Sequence, residues 1–349
     1  MNQRISDQSE EQEKKRPGNI YDVFVKNIFG RLLVFIDFLL HYADPKFVSN
    51  IELEKISPAP TNHIAKWGNE RILDLIFGFP LKNGNANTKA MIVFEHDGYS
   101  DTELPIRLLG YASSIWWTEN KNKQPFSAVY FLVLRTGKKP HRGRYRTIAD
   151  LLPKDKDGKL IGTAFDFEYD VVDLPAIDFD KLCGGAVLRL GMGVLKKMTE
   201  GLEEEFADSL LPLVEIADEK QRIELTKEIL EFITKVFAAR DKRLESEAIN
   251  QALEPIFEER TKTMIPTIFE EIEIKAKAEA KAEAKAEGER KLVKARQDDV
   301  LDFLRTRFKK VPKRIETAIQ QMNDQIALKS LVIEAAACQT LDEFADALK

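Results

Sequence analysis

The sequence predicts an α/β (α+β) domain followed by helical regions. Three observations predict it. Two apolar runs of strand length, 71–80 and 89–96, flank a polar turn. A run with apolar spacings of three and four precedes them, and another helical segment separates them from a further strand. Beyond about residue 180 the pattern turns to helical spacing throughout. Helix, strands, intervening helix and strand imply sheet and helices packed as layers.

The elements follow in order. Residues 1–17 are polar and charged and are expected to form a disordered tail without a hydrophobic signal core. From Ile20 to about Tyr42, Phe24, Ile28, Leu32, Phe35 and Leu39 mark one or two helices. Phe47 to Leu53 alternates as a strand does. Runs 71–80 and 89–96 are strands by length and composition, and 82–88 (Lys-Asn-Gly-Asn-Ala-Asn-Thr) is a turn, so the pair forms a hairpin. Pro105 suits the first turn of a helix reaching about Glu119. Ser127 to Leu134 is continuously apolar, as in a strand buried on both faces. Phe165 to Val172 is the next strand candidate. The first domain thus covers 18–178, and a helical region packed on or tethered to it covers 179–271.

Residues 272–297 hold a run of Ala, Lys and Glu with high helix propensity. Its like charges meet four residues apart, which costs a few tenths of a kcal/mol per pair, and it lacks an apolar stripe beyond alanine. It reads as a helical spacer. Residues 298–349 resume amphipathic spacing and form a C-terminal helical module.

Composition narrows the function. The 349 residues are 44% hydrophobic, enough for two or three domains. A net charge of −5 argues against a protein that is basic throughout, but a local basic strip serves nucleic-acid binding as well. The two cysteines, Cys183 and Cys338, lack zinc or disulfide spacing. The longest apolar run, Leu32 to Leu40, is interrupted by Asp37 and falls far short of the roughly 20 residues that span a bilayer. The expectation is a cytoplasmic protein that does not engage membranes; a homo-oligomer is left open.

Two carboxylates carry the chemistry. Asp74 and Glu95 lie in apolar strands, where a charge is costly unless something pairs with it. A hairpin register pairing residue 80 with 89 also pairs 74 with 95, on one face and about 5 Å apart at Cβ. A one-residue slip separates them. Such a pair suits a hard divalent cation with oxygen ligands; otherwise one acid ends a strand and the other faces solvent. His96 falls on the opposite face from Glu95 and reads as structural. Asp22 is a helical contributor to consider. Lys121 to Arg146 holds eight cations and no acid, among them Lys138, Lys139, Arg142, Arg144 and Arg146. This strip either neutralises phosphates or is an ordinary solvated loop. Trp116 and Trp117 read as core residues rather than base-stacking platforms. No P-loop, Rossmann glycine pattern or nucleophile elbow occurs.

Asp74 in an apolar strand, a hairpin and then Glu95-His96-Asp97 resembles the PD-(D/E)XK nuclease pattern. The flanks resemble its recombination-promoting nuclease / putative transposase family: Asp22, Phe24 and Lys26 in the opening helix, Arg107 and Tyr111 after the acidic strand, and the strand from Val129 leading to Arg135-Thr-Gly137-Lys. The strand Phe167 to Val172 before Asp173-Leu174 fits as well. The resemblance covers roughly 18–178 and 298–349. It implies a mixed-sheet nuclease-like core flanked by helices, and a metal-dependent DNA endonuclease acting in recombination or mobile-element processing. Asp74 and Glu95 would hold Mg²⁺ (or Mn²⁺). The position two after the glutamate usually carries Lys or Gln; here Asp97 stands there, as an extra ligand or general base. Arg107 would supply the missing positive charge, or is a structural arginine. The alternative is a catalytically inactive nuclease-like protein serving as a DNA-binding or assembly module.

Overall fold

The computed structural model describes residues 18–59, 75–82, 89–98, 103–141, 147–160, 167–257 and 265–348. Helices α1 (Gly18–Phe29) and α2 (Leu32–Tyr42) open the chain. They part at Gly30, where a Cβ would clash with the Lys26 carbonyl oxygen. The Phe47–Leu53 stretch is not a strand. Pro45 opens a short helix, α3 (Pro45–Ser49), and Asp44 caps it by accepting from the Lys46 N–H at 2.9 Å. Proline and cap override the alternation; what remains of the strand is a single bridge between Ile51 and Leu81.

The sheet has five strands among the described residues: β1 (Ser57–Pro58), β2 (Leu75–Pro80), β3 (Lys89–Asp97), β4 (Ala128–Arg135) and β5 (Asp170–Asp173). They lie side by side in chain order. The first three are antiparallel; β3, β4 and β5 are parallel. The hairpin has the expected register, from Pro80 opposite Lys89 to Leu75 opposite Phe94. Asp74, the next residue, lies outside the described residues. Helix α4 (Leu104–Lys121), with Pro105 in its first turn, is the crossover between β3 and β4. A four-residue helix, α5 (Ile148–Leu151), precedes β5.

Alternation along the strands sorts side chains onto two helical layers. Ile92 and Phe94 of β3 and Leu132 and Leu134 of β4 pack with Phe24, Ile28, Phe35 and Phe38 of α1 and α2. Val93, Phe131 and Val133 pack with Leu104, Leu108, Tyr111 and Ile115 of α4. The first layer continues into α6 (Ala186–Glu200), α7 (Phe206–Leu210), α8 (Glu219–Ala239) and α9 (Ser246–Leu253), whose Leu190, Val194, Leu210, Ile229, Ile233 and Leu253 share its core. Helices α6 to α9 are therefore packed on the sheet domain.

One compact unit runs to Ile272 and a second covers Glu273–Lys349. Helix α10 (Ile265–Phe308) contains the Ala/Lys/Glu run. The second unit has its own core, in which Val300, Leu301 and Leu304 meet Ile315 and Ile319 of α11 (Lys313–Gln321), Leu328 and Leu331 of α12 (Gln325–Ala337) and Phe344 of α13 (Leu341–Ala347). Among the described residues no helix is long and apolar enough to cross a membrane.

Candidate active site

Glu95 and Asp97 are the last two outward-alternating positions of β3 on the face that α4 covers, since Val93 of the same phase packs against that helix. Both are buried, at 5% and 6% exposure. A carboxylate in such surroundings needs a partner. Arg107, in the first turns of α4, supplies it: its Nη2 lies 3.0 Å from Glu95 Oε1, with both side chains largely buried. Leu104, Leu108 and Tyr111 anchor α4 on the sheet and so fix where Arg107 emerges. The structure thus brings together three residues singled out from the sequence: Glu95, Asp97 and Arg107.

A second charged row ends the parallel strands. Arg135 is opposite Asp97 in the β3–β4 ladder and opposite Asp173 in the β4–β5 ladder. It is two residues on from Val133 and therefore on the α4 face. Its Nη1 donates to Asp173 Oδ1 at 2.5 Å and to the Lys139 carbonyl at 3.2 Å, and the His141 N–H donates to Asp173 Oδ2 at 2.8 Å. These bonds pin the segment after β4, which presents Lys138 and Lys139 to solvent. Arg142, Arg144 and Arg146 of the same basic strip lie outside the described residues. From the sequence Arg135 belongs to a motif and to the basic strip; its ion pair joins residues 38 apart in sequence and leaves no local signal.

His96 points to the other face, as its place between Glu95 and Asp97 requires. There its Nδ1 is 2.7 Å from Asp22 Oδ1 and its Nε2 is 2.9 Å from Thr136 Oγ1. Asp22 therefore joins α1 to the end of β3 behind the site and does not meet Glu95 on the α4 face. The Thr136 N–H donates to the Asp97 carbonyl at 2.9 Å, closing the β3–β4 ladder. The strand end that carries the acids is thus held from α1, from β4 and from α4.

One expectation fails. Trp116 is half-buried and donates its indole N–H to the Ser127 carbonyl at 2.9 Å, but Trp117 is 72% exposed. The buried stripe of α4 runs through Leu104, Leu108, Tyr111, Ala112 and Ile115. Two residues past Ile115 is about 200° around the helix, so the phase of the stripe turns Trp117 to solvent.

The donors at the strand end suit a hard cation. Glu95 and Asp97 offer oxygens only, from one face of one strand, and oxygen ligands are what Mg²⁺ or Mn²⁺ take. Among the described residues no group of three or more His, Cys, Asp or Glu could hold a metal; Asp74, the remaining carboxylate of the expected set, is not one of them.

A family model described as "Putative transposase, YhgA-like" matches residues 19–227, more than half of the chain. The chain belongs to that family. Membership relates it to mobile-element proteins and agrees with the nuclease-like core expected from the Asp74, Glu95 and Arg107 pattern. The matched region takes in the five described strands, α1 to α7, the start of α8 and every candidate site residue. No curated protein and no solved structure matches the chain.

Proposed function

We propose that this protein is a metal-dependent DNA endonuclease of recombination or mobile-element type that hydrolyses phosphodiester bonds. The observation that carries the reading is the pair of buried acids, Glu95 and Asp97, on one face at the end of β3 with Arg107 against Glu95. Asp74 and Glu95 would hold Mg²⁺ or Mn²⁺, with Asp97 as a further oxygen donor or as the base. When bound, such an ion polarises a phosphoryl oxygen and lowers the pKa of water.

The chain's own residues do the rest. In hydrolysis a water oxygen bonds to phosphorus as the bond to the leaving sugar oxygen breaks. Asp97, in the base role, takes the attacking water's proton. A carboxylate cannot offset the charge that builds on the phosphoryl oxygens, whereas a guanidinium can. Arg107, 3.0 Å from Glu95, is the cation we assign that task. It also fixes the carboxylate's orientation. Lys138, Lys139, Arg142, Arg144 and Arg146 would neutralise backbone phosphates without reading sequence.

The test is supercoiled plasmid with purified full-length protein. Nicking or linearisation is expected with Mg²⁺, none with EDTA, and none with Glu95→Gln or Asp74→Ala. Absence of cleavage, or cleavage undiminished in both variants, overturns the nuclease reading. A second reading, a catalytically inactive nuclease-like module for DNA binding or assembly, is favoured by one observation: Arg107 already neutralises Glu95, and Asp97 replaces the expected Lys or Gln. It predicts DNA retention that is indifferent to Mg²⁺ and no cleavage at all.

A further inference from the structure

Helix α4 buries one face against the sheet and leaves the opposite face open. Along that open face lie Ile106, Ser113 and Trp117, all exposed, and Lys121 continues it one turn on. The turn that follows adds exposed Lys123 and, at 64% exposure, Phe126. Two large aromatic residues in solvent within ten residues oppose the ordinary burial of such side chains.

The turn is a fixed structure. The Asn122 N–H donates to the Thr118 carbonyl at 3.0 Å, the Lys123 N–H to Asn120 at 3.0 Å and the Gln124 N–H to Glu119 at 2.8 Å. Lys123 sits in the left-handed region at φ 54°. The Glu119 carboxylate accepts from the Ser127 N–H at 2.9 Å and from the Ser127 hydroxyl, and Trp116 closes the loop through its bond to the Ser127 carbonyl. These bonds hold the 120–127 segment back against the helix end.

Charge selects the occupant. From Leu104 to His141 the single acid is Glu119, and it is buried and bonded to Ser127. Along the chain from Trp117 to Phe126 the exposed ionic groups are Lys121 and Lys123. A segment of exposed aromatic rings and cations, with no exposed acid of its own, fits a polyanion whose units carry flat rings. We propose that Trp117, Phe126, Lys121 and Lys123 form a stacking platform for single-stranded DNA. The unpaired bases stack on Trp117 and Phe126, and the lysines meet the phosphates. Eleven residues of helix separate Ile106, next to Arg107, from Trp117. That is about 16 Å, or on the order of five stacked nucleotides at about 3.4 Å each. The platform thus lies along α4 from the helix turn that carries Arg107.

The inference rests on the nucleic-acid reading of the site but not on turnover, so the experiment is done in EDTA. Full-length protein is titrated into a fluorescein-labelled oligo-dT and, separately, into a blunt duplex, with anisotropy as readout. Trp117→Ala is expected to weaken oligo-dT binding about ten-fold or more, to leave duplex binding within two-fold, and to be rescued largely by Trp117→Phe. The pair Lys121→Gln and Lys123→Asn (Asn tolerates the left-handed backbone) is expected to make the salt slope for oligo-dT shallower by about 1.4, two phosphates at roughly 0.7 each. Unchanged oligo-dT affinity in Trp117→Ala overturns the platform. So does equal loss in Trp117→Phe, or a dimer that Trp117→Ala dissociates while oligo-dT binding is unaffected. If plasmid cleavage fails yet these shifts appear, the nuclease reading falls and the platform stands.

Discussion

Arg107 and Glu95 form an ion pair whose worth lies in what happens when it is broken. Removing one partner leaves a charge in an apolar setting, which typically costs about 3–5 kcal/mol, whereas replacing both can be neutral. Arg107→Ala should therefore lower the unfolding free energy by about 3–5 kcal/mol in urea titrations, and Arg107→Leu combined with Glu95→Gln should recover most of the loss. A neutral single variant would mean the pair is not desolvated. Elsewhere, burial pushes the Glu203 carboxyl up, but the hydrogen bond from Lys242 and the charges of Arg240 and Lys242 outweigh it and hold it below its ordinary value. A carboxylate held low adds stability above its unfolded pKa near 4.5 and loses it as pH falls through the lower folded value. Glu203→Gln should cost about 1–3 kcal/mol at pH 7, with the gap to the wild type closing below about pH 4.5. A gap independent of pH would contradict the assignment. The sequence makes Glu95, Asp97 and Arg107 legible because strand alternation and motif order act locally. The Asp22–His96–Thr136 connection spans 74 and 40 residues, so nothing local announces it. Trp117 was legible in principle: the helical phase set by Leu108, Tyr111 and Ile115 turns it outward, and its apolar character alone misleads.

Elements record where local preference agrees with packing and where it yields. The hairpin agrees: the polar turn and two apolar runs fix a register that the β2–β3 ladder reproduces pair by pair. Phe47–Leu53 yields, because Asp44 and Pro45 offer a cap and a first turn that outweigh a short alternation. Of the strand expected over Phe165 to Val172, residues 165 and 166 lie outside the described residues; from 167 on the strand is Asp170–Asp173, paired with Leu132 to Arg135 of β4. Two glycines separate propensity from packing. In α6 a Cβ on Gly191 would lie 2.6 Å from Ile28 Cγ2, while on Gly288 of α10 it would meet nothing within 4 Å. Gly288→Ala should raise stability of its unit by about 1 kcal/mol through helix propensity alone. Gly191→Ala gains the same propensity but overpacks α6 against buried Ile28, at about 1–3 kcal/mol, so thermal unfolding should move the other way. Shifts of the same sign at both sites would refute this account of the α1–α6 contact.

At the scale of the molecule, two units each hold a core of their own, one to Ile272 and one from Glu273. The sequence pattern marks the change well, since the apolar spacing that stops before the Ala/Lys/Glu run resumes after it. It marks less well that helices α6 to α9 complete the core over one sheet face, because amphipathic spacing tells that a face is buried but not against what. The consequence for function is an asymmetric domain. One sheet face is sealed by α1, α2, α6 and α8; the other is covered by α4, whose first turns reach the acids. The proposed metal site depends on that whole arrangement, since β3, β4, α1 and α4 all converge on the strand end. Direct titration of the full-length protein with Mn²⁺, followed by electron paramagnetic resonance of the free ion, tests it most directly. The account predicts saturable binding that competes with Mg²⁺ and weakens at least ten-fold in Glu95→Gln and in Asp74→Asn. Absence of binding, or binding undiminished in both variants, would contradict it.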